Sequence, residues 1–69
     1  MTTEPSVNSG DEERVRACRS LFAELIDQMD YLRGDTTDSE VRRMTSIAIT
    51  EMQTAQMWAV RALTWGIDE

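Results

Sequence analysis

The sequence predicts an all-α fold: an antiparallel helical hairpin with a short N-terminal arm, assembling into a helical homo-oligomer. Three observations predict it. Two long stretches, about 11–33 and 38–65, repeat apolar residues at the three- and four-residue spacing of helices and contain no Pro. A short polar break, "RGDTTDSE", separates them, and helices joined by a few residues lie antiparallel. The stretch "EMQTAQMWAVRALTW", Glu51 to Trp65, spreads its apolar residues over more than one side with only Glu51 and Arg61 as charges, so one neighbouring helix cannot cover it.

Size sharpens the third observation. A chain of 69 residues makes one small domain, burying only ~60% of the surface its unfolded form exposes. Such scaffolds usually need disulfides, a metal or oligomerisation. Cys18 is the only cysteine, which excludes a disulfide within the chain, and one Cys with no His makes a poor zinc site. Self-association remains.

Residues 1–10 form the arm. They are Thr, Ser, Asn, Glu, Pro and Gly with one Val after the initial Met, a composition that is flexible in isolation and can order against a partner or ligand. The hairpin domain spans 11–69. Asp11 is a good N-cap, and Glu12 and Glu13 place negative charge where the helix dipole favours it. Val15, Cys18, Phe22, Leu25, Met29 and Leu32 form a heptad seam, widened by Leu21 and Ile26, while Arg16, Glu24, Asp27 and Asp30 occupy the far face. Gly34 suits the left-handed position just past a helix end, with Arg33 favourable for the negative terminus before it.

Asp38 or Ser39 caps the second helix, near 40 Å long at ~1.5 Å per residue. Val41, Met44, Ile47, Ala48 and Met52 are expected to face the first helix, with Ile49 and the 57–65 segment pointing elsewhere. Met52, Ala55, Met57, Trp58, Ala59, Ala62 and Trp65 are the expected oligomer interface. The alanines admit a close neighbour, and the Met and Trp side chains would otherwise form an exposed patch. Both tryptophans read as interface anchors.

Composition excludes several functions. A net charge of −6 argues against binding DNA or RNA polymers. No run of apolar residues approaches the ~20 needed to span a membrane, and the first residues lack the basic and apolar regions of a signal peptide, so a cytoplasmic location is expected. Catalysis is poorly served: there is no His, Cys18 sits on the apolar seam as a structural thiol, and no base is visible to activate a Ser or Thr. The expectation is no enzyme, no cofactor and no metal; Glu24, Asp27 and Asp30 share a face but lack the pattern of a calcium loop. "RGD" reads as a helix terminus. Binding remains. All seven basic residues are Arg, whose planar forks suit phosphate or carboxylate. Clefts between protomers, lined by Arg and helix N-termini, can hold a compact anion.

Two segments carry a resemblance: "VNSGDEERVRACRSLFAELID" and, after a short loop, "RRMTSIAITEMQTAQMWAVRALTW". The second is the more specific. Together they resemble the phage anti-CBASS and anti-Thoeris hairpin domain family, the cyclic-oligonucleotide sponges, over roughly Val7 to Trp65. The resemblance implies a helical hairpin that assembles into a homohexamer in the host cytoplasm. It implies binding of cyclic dinucleotides, and in some members cyclic trinucleotides, between protomers without cleavage, so that CBASS-type immunity is blocked. It places candidate ligand contacts at Val7, Asn8, Ser9 and Arg19. Arg19, four residues after Val15, fits a basic position of the family, with Arg for the usual Lys. Val7 falls where the family carries an aromatic, and Val cannot stack on a purine. Asn8 and Ser9 can still hydrogen-bond a base or phosphate. The departure implies reduced affinity, a different ligand, or loss of messenger binding. The alternative function, from another class, is a small phage structural or adaptor protein whose exposed helical face binds another protein.

Overall fold

The computed structural model describes residues 4–66, with side chains from Glu12 onward. Helix α1 spans Glu4–Asp35 and helix α2 spans Ser39–Leu63. They pack against each other as a narrow hairpin with principal extents of 58 × 17 × 9 Å.

The linker is three residues, and its own polar groups hold it. The Asp38 N–H donates to Thr36 Oγ1 at 3.0 Å, and Arg42 Nε donates to the Thr36 carbonyl at 3.2 Å. Asp38 is the N-cap of α2, as its side chain suggested. Its backbone is extended, and its carboxylate accepts the Glu40 N–H at 2.9 Å. That bond satisfies one of the N–H groups a helix start leaves without a partner. The far end of α2 closes through Thr64, whose N–H donates to the Val60 carbonyl at 3.0 Å, and then Gly66 at φ +82° turns the chain into a conformation other residues adopt at a cost.

Both ends of α1 differ from expectation. The helix begins at Glu4 rather than Asp11, so residues 4–10 of the expected arm carry helical backbone; residues 1–3 lie outside the described residues. Pro5 explains an early start. Its missing N–H costs nothing in a first turn, and its fixed φ suits a helix. At the other end α1 runs through Gly34 to Asp35, and Gly34 does not adopt the left-handed conformation expected of it. Arg33 fixes this last turn. It donates to Asp30 Oδ1 at 2.6 Å and reaches across to Ser46 Oγ at 3.1 Å.

The seam between the helices also shifts. On α1 the partly covered residues are Val15, Cys18, Phe22, Ile26, Met29 and Arg33, while Leu25 and Leu32, expected on the seam, are exposed. The steps between covered residues average the 3.6 of an undistorted helix, so the covered line drifts off the strict heptad after Phe22. On α2 the covered residues are Val41, Thr45, Ser46, Ala48, Ile49, Met52, Gln56, Ala59, Val60 and Leu63. Met44 and Ile47, expected to face α1, are half exposed, and Ile49, expected elsewhere, is buried with Thr45. Thr45 can be buried because its hydroxyl bonds locally to the Val41 and Arg42 carbonyls, both at 3.0 Å. Its polarity concealed the phase of the helix.

Among the described residues, Ile49 is the single buried hydrophobic side chain. Burying one such side chain stabilises by about 1.5–3 kcal/mol, while ordering each backbone residue costs about 1–2 kcal/mol. One hairpin has the shape of a fold without its core.

Candidate functional site

The seam divides the hairpin into two sides. In an antiparallel pair, the residues immediately after the seam positions of both helices fall on one side, and those immediately before fall on the other. The first side is polar. From α1 it takes Arg16, Arg19, Ala23, Asp27 and Asp30; from α2 it takes Arg42, Ser46, Thr50, Gln53 and Met57. The Arg33–Ser46 hydrogen bond bridges the helices at its turn end.

Arg19 is the candidate ligand contact whose side chain is described, and it is exposed on this polar side. An ordinary helix-surface pair with Glu12, Glu13 or Glu24 would compete with that role. Among the described residues the ion pairs are Arg33–Asp30 and Arg43–Glu40, so the Arg19 guanidinium is not held by any of those three. It carries five N–H donors in a planar fork, the geometry that matches phosphate. Counting back along the rod from the Arg33–Ser46 bond puts Arg19 level with the turn of α2 from Met57 to Val60.

Val7, Asn8 and Ser9 fall on the helical backbone of α1; their side chains lie outside the described residues. A consequence follows from the helix alone. Ser9 and Arg19 are ten residues apart on one continuous helix, about 15 Å at ~1.5 Å rise per residue, and Val7 is about 18 Å away. One protomer does not bring these residues together.

The expected interface residues divide. Met52 and Ala59 are partly covered along the seam with α1, and Ala55, Met57, Trp58, Ala62 and Trp65 are exposed. Trp58 and Trp65 flank Arg61, whose guanidinium carbon lies 6.0 Å from one ring and 5.9 Å from the other. Each contact gains from the negative face of the indole. The sequence marks the two tryptophans as anchors and gives Arg61 no role. For Trp58 the signal was legible in the spacing, since residues three apart share a face of a helix; Trp65 lies in the turn after α2.

Other features add little chemistry. A shallow groove on α2, lined by Arg43, Ser46, Ile47, Thr50 and Glu51, uses a single helix, and its Arg43 is already paired with Glu40. Among the described residues no cluster of three or more His, Cys, Asp or Glu is placed to hold a metal ion. Cys18 is a free thiol, half covered on the seam. No described helix is long and apolar enough to cross a membrane.

A family model described as "Acb2/Tad1, hairpin domain" matches residues 4–64. No curated protein and no solved structure matches the chain to a significant degree.

Proposed function

We propose, since the chain belongs to the Acb2/Tad1 hairpin domain family, that it is a phage counter-defence sponge. The family is known for sponges of cyclic oligonucleotides. In this reading a homo-oligomer, a hexamer, binds cyclic dinucleotides or trinucleotides between protomers in the host cytoplasm and withholds them from CBASS-type immunity without cleaving them. The observation that carries the reading is the family match along nearly the whole hairpin.

The geometry supports it in two ways. Arg19 presents an unpaired guanidinium, among the described residues, on the polar side of the hairpin. The rod separates it from residues 7–9 by about 15–18 Å, which favours a pocket that takes them from different copies. Arg19 binds phosphate in this scheme, and Asn8 and Ser9 hydrogen-bond base or phosphate. Val7 supplies apolar contact where a stacking aromatic would add about 1–3 kcal/mol per base. Weaker binding than in an aromatic-bearing relative is the result. No step of the scheme breaks a bond, and the chain supplies no histidine for acid–base work.

The exposed apolar residues also fit the adaptor reading, in which a different protein covers them. Calorimetric titration with cyclic di- and trinucleotides separates the two. Saturable binding with recovered, intact ligand is the sponge result; a flat titration of correctly assembled protein favours the adaptor.

A further inference from the structure

Three features of the outer face of α2 have no use within the hairpin. The groove lined by Arg43, Ser46, Ile47, Thr50 and Glu51 is built by α2 alone. About three turns further on, Trp58 and Trp65 project at 60% and 75% exposure with Arg61 between them. Glu51 and Arg61 carry opposite charges, and neither has an ion-pair partner among the described residues. One line joins the three. Ile47, Glu51, Thr54, Trp58 and Arg61 follow at steps of four, three, four and three, an exposed stripe on the side of α2 turned away from α1. Trp65, in the turn past α2, extends the stripe through its contact with Arg61.

We infer that this stripe docks antiparallel on the same stripe of a second copy, in the register centred at the level of Gln56, so that Arg61 of each copy meets the partner's Glu51 and Trp65 of each seats at the partner's Ile47 groove. The inference rests on the self-association in the reading above and names one contact of it. Charge and shape decide the occupant. A stripe of this spacing meets its antiparallel image in layers, each residue facing one equally far on the other side of the centre. In this register acid faces base at Glu51 and Arg61, and apolar faces apolar at Ile47 and Trp65. The bulky Trp58 faces the small Thr54. A slip of one heptad brings Arg61 to the partner's Met44 or Trp58 and leaves its charge unmatched. A parallel pairing sets Glu51 on Glu51 and Arg61 on Arg61. Projection and groove, acid and base, thus lie on one copy at matching distances from one centre, and a second copy fits without another kind of surface. The two indoles beside the Arg61 guanidinium, 6.0 and 5.9 Å away, hold it in place before it pairs, so less side-chain freedom is lost on docking.

Sedimentation equilibrium of the full chain tests this. Glu51→Arg and Arg61→Glu, each of which sets like charges together, are expected to lower the assembly mass at least twofold. The double variant Glu51→Arg/Arg61→Glu restores the pair with its signs exchanged and should recover the wild-type mass. Circular dichroism reports whether the variants stay helical. Where they do not, a disulfide decides. With Cys18→Ser in place, Glu51→Cys/Arg61→Cys should oxidise to covalently joined chains on a non-reducing gel. The two positions are about 15 Å apart along one helix, beyond the ~7 Å between Cα atoms that a disulfide spans, so the bond joins different copies. Helical single variants of unchanged mass, a double variant as dissociated as the single ones, or cysteine-bearing protein that assembles yet runs as single chains overturns the inference. A monomeric wild type overturns it together with the assembly part of the sponge reading; a failed nucleotide titration of an intact assembly overturns only the ligand part.

Discussion

Dilution is the perturbation that a coreless hairpin cannot withstand. If assembly supplies the core, unfolding and dissociation are one event, and stability per protomer falls with concentration by mass action. For an assembly of n copies the change per protomer is (n − 1)/n of RT ln 10 for each tenfold dilution. RT ln 10 is about 1.4 kcal/mol, so the loss is about 0.7 kcal/mol for a dimer and about 1.1 kcal/mol for a hexamer. In a domain of this length, 1 kcal/mol moves the melting midpoint by about 4–8 °C. Each tenfold dilution should therefore lower Tm by about 3–9 °C. The assay is the 222 nm circular dichroism melt over a hundredfold range of concentration, in one buffer. The size follows from the structure: Ile49 alone is buried among the apolar side chains described, so the separated hairpin retains little stability to buffer the loss. A midpoint that does not move across the range would refute the reasoning, because the hairpin would then be stable alone.

Three further predictions concern single residues. Gly34→Ala should stabilise by about 0.8–1 kcal/mol, because Gly34 is helical and an added Cβ meets nothing within 4 Å; a urea midpoint that falls would mean the position needs a left-handed backbone. Asp38→Ala should cost about 1 kcal/mol by removing the cap on the Glu40 N–H, and Asp38→Ser should restore most of it in the same urea titration. Arg19→Ala should weaken cyclic-nucleotide binding about ten- to hundredfold, the worth of one hydrogen bond to a charged group. Its sedimentation should be unchanged, since Arg19 lies on the polar side.

The two-helix architecture was legible because length, spacing and capping agree. Asp38 is the plainest case: a short acid before a periodic run has one cheap use, and it serves it. Gly34 misled because its chemistry permits a helix end without requiring one, and Arg33 holds the turn beyond it. Hydrophobicity alone misplaced the seam by about a residue. Met44 and Ile47 are more apolar than Thr45, yet Thr45 is buried because a hydroxyl satisfied by its own helix carries little polar cost inside. Leu25 and Leu32 misled in the same way, a strict heptad being the signature of a supercoiled pair rather than of a straight rod. The candidate site was legible only through its Arg. That residues 7–9 and Arg19 cannot meet within one protomer required knowing that a single helix joins them.

The most direct test of the sponge is isothermal titration of the assembled protein with a panel of cyclic dinucleotides, cyclic trinucleotides and cyclic ADP-ribose isomers, with each ligand recovered and checked for cleavage. The expected result is saturable binding of at least one cyclic di- or trinucleotide, recovered intact, and at least tenfold weaker in Arg19→Ala. A flat panel from an assembled protein, or recovered ligand that has been cleaved, would contradict it.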